Sequence, residues 1–184
     1  QTHQSVLDRM NKFYEHERCN VNRGDFHISQ SVSNELEISR KQFADLIKAN
    51  PEQIMFTAGA THGLNIIAQW YKDIPVVIIS EAEHTSNILP WLAQGRTIDN
   101  GRLVVLPTGE NGMVCLGELE KACEMYPNSL LSIIGTSNVT GITNPIQKIT
   151  KVAHNYGVKV AVDYCQTLAT KEVDVGTIDY AVFS

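Results

Sequence analysis

Polar residues that could bind a charged ligand stand directly after five apolar runs of the sequence. They are Thr57–Thr61, Ser80–His84, Thr136–Asn138, Asp163 and Ser184. If those runs are parallel strands, the loops that follow them meet at one edge of the sheet, and the next helices point their N–H groups toward it. We therefore expect these residues to share a binding site.

A phosphate group would suit the first of these stretches. Gly59, Ala60 and Thr61 lie at a strand-to-helix turn, which offers free backbone N–H groups, a hydroxyl group and the positive end of a helix dipole. A small residue and a threonine before a helix also fit an ordinary N-cap. The motif alone leaves both interpretations open.

Asp163 would need a partner, because it ends an apolar strand and an ionised carboxylate loses its hydration there. A protonated pyridine nitrogen would serve, and the charge pair would strengthen the ring of such a cofactor as an electron sink. An N-cap aspartate, or one bonded to the backbone, fits the same position.

Three other residues could contact the same ring. His84 offers a flat ring for stacking and a nitrogen that titrates near neutral pH, although a histidine after a strand is often structural. Asn138 could donate to a ring hydroxyl oxygen or lie in an ordinary turn. Gln166 follows Asp163 by three residues and could reach the same oxygen or point to solvent.

Short apolar runs alternate with helical stretches after Pro51, and these elements must position the candidate residues. Strands are predicted at 54–56, 76–80, 103–106, 130–134, 158–162 and 179–183. Helices are predicted near 61–70, 86–94, 116–125 and 145–156. Strands that are apolar throughout need cover on both faces. The sequence therefore predicts an α/β fold with a three-layer, doubly wound and mostly parallel sheet.

Two amphipathic helices precede this region, near 4–17 and 33–48, and a polar loop over 19–27 joins them. With 184 residues and 43% hydrophobic content, the chain is long enough for one compact domain and short for two. We expect a single domain over 1–184, with 1–50 as a helical segment that leads into it.

The composition argues against several classes of partner. The chain has 15 basic and 20 acidic residues, a formal net charge of −5 and no basic stripe, so we expect no nucleic acid partner. No apolar stretch approaches the roughly 20 residues of a membrane span. The four cysteines show neither CxxC spacing nor nearby histidine pairs, which argues against a metal site or a disulfide framework. These features favour a soluble, cytoplasmic protein.

Taken together, the candidate residues resemble the class V aminotransferase family of pyridoxal 5'-phosphate (PLP) enzymes, and within it the cysteine desulfurase and selenocysteine lyase branch. The matching segments are 56–65, 79–91, 137–146, 153–154, 157, 162–163, 166, 173–175 and 179–184. The resemblance covers almost the whole chain. It implies the large domain of the fold-type I enzymes, in a homodimer whose active sites lie at the subunit interface.

The resemblance also implies which residues bind the cofactor. They are Ala60, Thr61, His84, Asn138, Asp163, Gln166 and Ser184. Thr61, the adjacent backbone and Ser184 would hold the phosphate group. His84 would stack on the pyridine ring and transfer protons as the catalytic residue. Asp163 would pair with the pyridine nitrogen, and the side-chain amides of Asn138 and Gln166 would contact the ring hydroxyl oxygen.

The implied reaction removes sulfur or selenium from L-cysteine or L-selenocysteine and leaves alanine. In the family, a lysine shortly after the segment that matches Ser184 bonds the cofactor, and a later part carries the sulfur-accepting cysteine and an arginine for the substrate carboxylate. None of these lies in this sequence. We therefore expect a fragment, trimmed at both ends and inactive alone, of an enzyme with a small amino acid substrate and a sulfur-acceptor protein as partner.

Two differences bear on the substrate. The branch carries a histidine shortly before its Ser-Asn pair, where this chain has Gly135 and Thr136, and another near the position of Phe26, where His27 comes one residue later. Another class V enzyme (an aminotransferase, an epimerase or a C–S lyase) and a non-catalytic pseudoenzyme therefore stay as alternatives. A nucleotide-binding domain is disfavoured, because neither GxGxxG nor GxxxxGKS/T follows any strand.

Overall fold

The computed structural model describes residues 2–24 and 26–184. Contacts divide the chain into two compact units, Gln1–Ile54 and Met55–Ser184. The first contains α1 (Gln4–Lys12), a π-helical turn (Phe13–Glu17), α2 (His27–Ile47) and a 3-10 turn (Pro51–Gln53). No helix among the described residues is long and apolar enough to cross a membrane. A single domain over 1–184 stays a prediction.

Helix α2 begins six residues before the predicted position, at His27 rather than Ser33. The reason is the buried side chain of Ser29, whose hydroxyl group donates to the carbonyl oxygens of Asn20 and Arg23 at 3.0 and 3.2 Å. These bonds tie the first turn of the helix to the loop before it. Asp25, in the predicted loop, lies outside the described residues.

The second unit is a parallel sheet covered by helices. Its elements in chain order are α3 (Ala60–Trp70), β1 (Val77–Ser80), α4 (Thr85–Ala93), β2 (Leu103–Leu106), α5 (Leu116–Met125), β3 (Leu130–Ile134), α6 (Ile146–Asn155), β4 (Lys159–Asp163) and β5 (Tyr180–Val182). The strands lie in the order β2-β1-β3-β4-β5, and every neighbouring pair is parallel. The predicted α/β fold is confirmed.

Two apolar cores, one on each face of the sheet, explain the uninterrupted apolar strands. In β1, Ile78 packs into the core beneath α5 and α6, while Val77 and Ile79 pack into the core beneath α3 and α4. Successive strand residues point to opposite faces, so a strand with helices on both sides has no solvent-facing position.

The predicted strand at 54–56 is wrong. The backbone at Ile54 is extended, but its N–H donates to the carbonyl of Pro51 within the 3-10 turn, and its carbonyl oxygen accepts from the Arg40 guanidinium. Local bonds thus occupy the main-chain groups that a sheet would need. Met55 and Phe56 are about half exposed, and the segment joins no strand of the described chain.

The strand order reverses between β1 and β3, because the chain passes from β1 outward to β2 and then returns to β3. At such a switch point the loops after the two strands diverge and leave a crevice at the carboxyl edge of the sheet. His84 follows β1 and Asn138 follows β3. The topology therefore places both next to this crevice.

Candidate functional site

A cleft of about 350 Å³ opens at the carboxyl edge of the sheet. Its lining residues are Ala58, Gly59, Ala60, Thr61, His62, His84, Ser86, Ile134, Asn138, Asp163, Cys165, Gln166 and Ser184. All seven cofactor-binding residues expected from the sequence are in this set, so the structure brings them together. Which ligand they bind stays a prediction.

The start of α3 forms one end of the site. Gly59 is the N-cap, with φ 137° and no side-chain capping bond, and the first helical bond runs from the N–H of Gly63 to the Gly59 carbonyl at 3.1 Å. Within 2–24 and 26–184, the N–H groups of Ala60, Thr61 and His62 have no acceptor. Thr61 therefore lies in the first turn rather than acting as the cap, and the free donors suit an anion.

Two glycines set the position of this helix. At φ 137°, Gly59 adopts a backbone conformation that other residues avoid. A Cβ atom at Gly63 would lie 2.9 Å from Cγ1 of Val182, so its absence lets α3 approach β5 closely. A Cβ atom at Gly59 would lie 3.8 Å from the hydroxyl oxygen of Ser184, which shows that this hydroxyl group borders the start of the helix.

His84 combines a structural contact with a place in the cleft. It is the N-cap of α4, and its Nδ1 accepts the N–H of Ser86 at 3.2 Å and lies 2.7 Å from the Ser86 hydroxyl oxygen. A backbone N–H can only donate, so Nδ1 of the neutral ring carries no proton and Nε2 does. His84 thus offers an N–H donor at Nε2, which has no partner among the described residues.

Asp163 is the last residue of β4 and is only 3% exposed. Its Oδ1 accepts the N–H of Cys165 at 2.9 Å, so the interpretation as a backbone-bonded aspartate is correct in part. No Lys, Arg or His of the described chain pairs with this carboxyl group. A buried carboxylate with no cation is costly, and this one lines an open cleft.

The surroundings of the Cys165 thiol beside it disfavour the thiolate form. Burial, together with a hydrogen bond to Asp163 and the charge of that residue, raises the pKa of the thiol to about 12. Since the thiolate is the nucleophilic form, Cys165 is a poor candidate for a sulfur-transferring cysteine. The sequence expectation that none of the four cysteines has that role stays a prediction.

The two amide side chains are free to bind a ligand. In the turn after β3, Ser137 makes the local bonds: its Oγ accepts the N–H groups of Val139 and Thr140, and its carbonyl accepts the N–H of Gly141 at 2.9 Å. The side chain of Asn138 is therefore not needed to hold the turn. Gln166 is exposed, and its side-chain amide likewise has no partner in the described chain.

His62 also lines the cleft, although the sequence did not single it out. Its Nδ1 accepts the N–H of Ala58 at 3.2 Å, so the neutral ring carries its proton on Nε2, as in His84. Its place beside Thr61 in the first helical turn was the available signal. The structure thus adds a second imidazole at the end of the cleft where an anion would bind.

The donor set fits a ligand that carries a phosphate group, an oxygen substituent and a basic ring nitrogen. Free N–H groups at the start of α3 suit the phosphate, the two amides suit the oxygen, and the uncompensated carboxylate of Asp163 suits a protonated nitrogen. These groups differ in charge preference and line one cleft. The arrangement therefore favours a phosphorylated aromatic cofactor over a simple anion.

The chain is similar to cysteine desulfurases. It is 36% identical over 191 residues to a cysteine desulfurase of Serratia proteamaculans, which covers 98% of this chain and 46% of that protein. It is 34% identical over 182 residues to one of Cronobacter sakazakii, covering 95% and 44%. The apo structure of a cysteine desulfurase from Thermococcus onnurineus NA1 matches all of this chain and 46% of its own, with a TM-score of 0.87 and 29% identity.

The chain spans about half the length of these curated relatives. The family model for class-V aminotransferases matches residues 1–184, the same family that the cleft residues resemble. On this match, together with the parallel fold and the similar proteins, the chain belongs to the class-V aminotransferase family.

Proposed function

We propose that this chain forms most of the PLP-binding cleft of a cysteine desulfurase-like enzyme, which removes sulfur from L-cysteine and leaves alanine. The observation that carries the proposal is Asp163, a buried carboxylate that has no cationic partner among the described residues and lines the same cleft as the free N–H groups of α3. The names of the similar proteins support cysteine as the substrate.

The residues of the cleft would bind the cofactor at three points. The N–H groups of Ala60 and Thr61, with the hydroxyl groups of Thr61 and Ser184, would hold the phosphate group. Asp163 would hold the ring nitrogen in its protonated form, and Asn138 would donate to the ring oxygen. When bound, PLP supplies an electron sink for the bonds at the α-carbon of an amino acid.

His84 would transfer protons. Because its Nδ1 is held by Ser86, the proton that it can give to a substrate atom is the one on Nε2. Its exposed ring, which lines the cleft, would cover a flat ligand. Gln166 would orient the ring from the side of β4. The lysine and the sulfur-accepting cysteine would come from outside residues 1–184.

The finer assignments belong to the same proposal. The enzyme would be a cytoplasmic homodimer that passes its sulfur to an acceptor protein, and selenocysteine would be a second substrate. These assignments rest on the family resemblance. The absence of a spanning helix among the described residues does not conflict with them.

One observation favours a second candidate, another class V enzyme. The desulfurase branch carries a histidine just before its Ser-Asn pair, but a Cβ atom at Gly135 would lie 2.7 Å from Cδ1 of Tyr164 and 2.9 Å from the hydroxyl oxygen of Thr167. No side chain fits at Gly135 unless these neighbours move. A substrate contact made there by the branch would have to come from another residue.

Purified full-length protein should be incubated with PLP, L-cysteine and an added thiol reductant, which releases the transferred sulfur as sulfide, and sulfide and alanine should be measured. We expect equal amounts of both products, and a visible absorbance band of the bound cofactor that borohydride abolishes. A keto acid without sulfide would support the aminotransferase alternative, and a keto acid with sulfide and ammonia would support the C–S lyase. A cofactor band without turnover of any amino acid would support the pseudoenzyme, and the isolated 184 residues should release no sulfide.

A further inference from the structure

A buried polar network lies beneath the cleft, with the carboxyl group of Glu83 at its centre. Oε1 of Glu83 accepts the hydroxyl group of Ser80 at 2.5 Å and the N–H of Ile134 at 2.9 Å. Oε2 accepts the side-chain amide of Asn87 at 2.6 Å. The oxygen of that amide accepts the hydroxyl group of Ser132 at 2.5 Å. All five residues are buried.

Burying the carboxyl group of Glu83 in this network costs free energy, because the group loses its hydration. Glu83 has no cationic partner in the described chain, and burial raises the pKa of its carboxyl group to about 7, although three donors oppose the change. Well-packed apolar residues usually stabilise such a position as well as buried charges do. The presence of a carboxyl group at Glu83 is therefore better explained by a role in the adjacent site than by a contribution to folding stability.

The network joins the two parts of the cleft that would face the cofactor ring. Glu83 directly precedes His84 in the turn after β1. Its bond to Ile134 reaches the end of β3, and Ile134 lines the cleft and is the register partner of Asp163 in β4. The carboxyl group thus connects the turn that carries His84 to the strand end beside Asp163.

We propose that Glu83 is a positioning residue for the cofactor site, because its hydrogen bonds set the placement of His84 relative to Asp163. The proposal rests on the proposed PLP function. Of the elements packed against Glu83, β4 contributes one charged group, Asp163, whose negative charge opposes ionisation of Glu83. Among the described residues, the groups of β1, β3 and α4 that bond Glu83 are uncharged: the Ser80 hydroxyl, the Ile134 N–H and the Asn87 amide. His84, the titratable N-cap of α4, is the next residue and makes no bond to this carboxyl group in the described chain.

Two substitutions and a matched control test the role. Glu83→Gln keeps the size of the side chain and an oxygen acceptor for Ser80 and Ile134, but it cannot ionise, and its NH2 group replaces the oxygen that accepts from Asn87. Glu83→Ala removes every bond of the carboxyl group. Glu81→Gln is the control: Glu81 lies two residues away, is exposed and accepts only the N–H and hydroxyl groups of Thr108, at 2.7 and 2.6 Å.

The readout is the visible circular dichroism of PLP bound to the full-length protein between pH 5 and 9, with the dissociation constant measured on folded protein. The wild-type band should change near pH 7, and Glu83→Gln should remove that component while the affinity stays within about threefold. Glu83→Ala should weaken binding at least about tenfold, as the loss of a hydrogen bond to a charged group does. Glu81→Gln should match the wild type.

Coincident pH profiles for the wild type and Glu83→Gln would overturn the proposal, whether or not Glu83→Ala folds. If the wild type bound PLP and the profiles coincided, only the role of Glu83 would be wrong. If the wild type bound no PLP, the proposed function would fail and this role with it. The pH profile separates positioning from stability, because a stability defect alone would not move the spectrum of folded protein.

Discussion

Two aspartates at opposite ends of the sheet have contrasting surroundings. Asp179, just before β5, is bonded by Nε2 of His154 and Nζ of Lys159, each at 2.8 Å, and by the N–H of Val160 at 2.9 Å. Partial burial acts to raise its pKa, but these donors outweigh that effect and lower it. Asp163, at the end of β4, has one backbone donor and no cation in the described chain.

The contrast shows how a structural carboxylate differs from one that is left for a ligand. The partners of Asp179 hold the start of β5 against β4 and satisfy its charge within the chain. Asp163 is the more deeply buried of the two, yet no cation of the described residues pairs with it. A cationic ligand in the cleft would supply the missing charge, and the predictions below test this difference.

The largest expected effect is on cofactor binding. Asp163→Asn in the full-length protein should raise the dissociation constant for PLP by about 100-fold or more, because removing one partner of a buried ion pair costs about 3–5 kcal/mol. The measurement is an equilibrium titration followed by the visible absorbance. Asp179→Asn is the matched control and should bind PLP as the wild type does. Equal loss in both variants would contradict the comparison.

The next effect is the pH dependence of stability due to Glu83. Its pKa is raised from 4.5 to about 7 in the fold, so its contribution is complete below pH 4.5 and is lost as the pH rises through 7. The change amounts to about 3 kcal/mol. Urea unfolding of the apo protein should show this fall, and Glu83→Gln should remove it. An unchanged slope in the variant would contradict the raised pKa.

The contribution of Asp179 to the free energy of unfolding should change with pH in the opposite direction from that of Glu83, and by a smaller amount. Because its folded-state pKa is below the ordinary 3.8, its contribution is present above pH 3.8 and is lost as the pH falls through the lower value. At pH 7, Asp179→Asn should lower the free energy of unfolding by about 1 kcal/mol. Urea unfolding of both variants checks this. If only Asp163→Asn lowered the free energy of unfolding, Asp163 would be the structural carboxylate and Asp179 would not.

The smallest effect is expected at Cys165. Since its thiol is protonated at neutral pH, Cys165→Ala should keep the rate of sulfide release in the full-length protein within about twofold. The assay is sulfide production from L-cysteine at saturating PLP, with a thiol reductant present. A loss of more than tenfold, with cofactor binding intact, would make Cys165 a participant in the reaction.

The sheet and most of the residues that line the cleft could be predicted from the sequence. Uninterrupted apolar strands such as Leu130–Ile134 require helices on both faces, and parallel strands bring their following loops to one edge. Asp163 and His84 could therefore be placed in a shared site without coordinates. Local periodicity did not predict that the main-chain groups of Ile54 are taken up by Pro51 and Arg40.

Contacts between residues far apart in the chain could not be predicted from the sequence. The bond between Glu83 and Ile134 joins residues 51 positions apart, and the Ser132 hydroxyl group reaches Asn87 across 45. No spacing rule connects such pairs, since only the packing of β1 beside β3 brings them together. For the same reason, the sequence could name Asp163 but not show that its charge lacks a partner.

The most direct test is a crystal structure of the full-length protein with PLP. The account predicts the phosphate group on the N–H groups of Ala60 and Thr61, and the pyridine nitrogen within hydrogen-bond distance of the Asp163 carboxylate. PLP bound elsewhere, or with its ring nitrogen away from Asp163, would contradict the account. No density for PLP in crystals grown with saturating cofactor would contradict it as well.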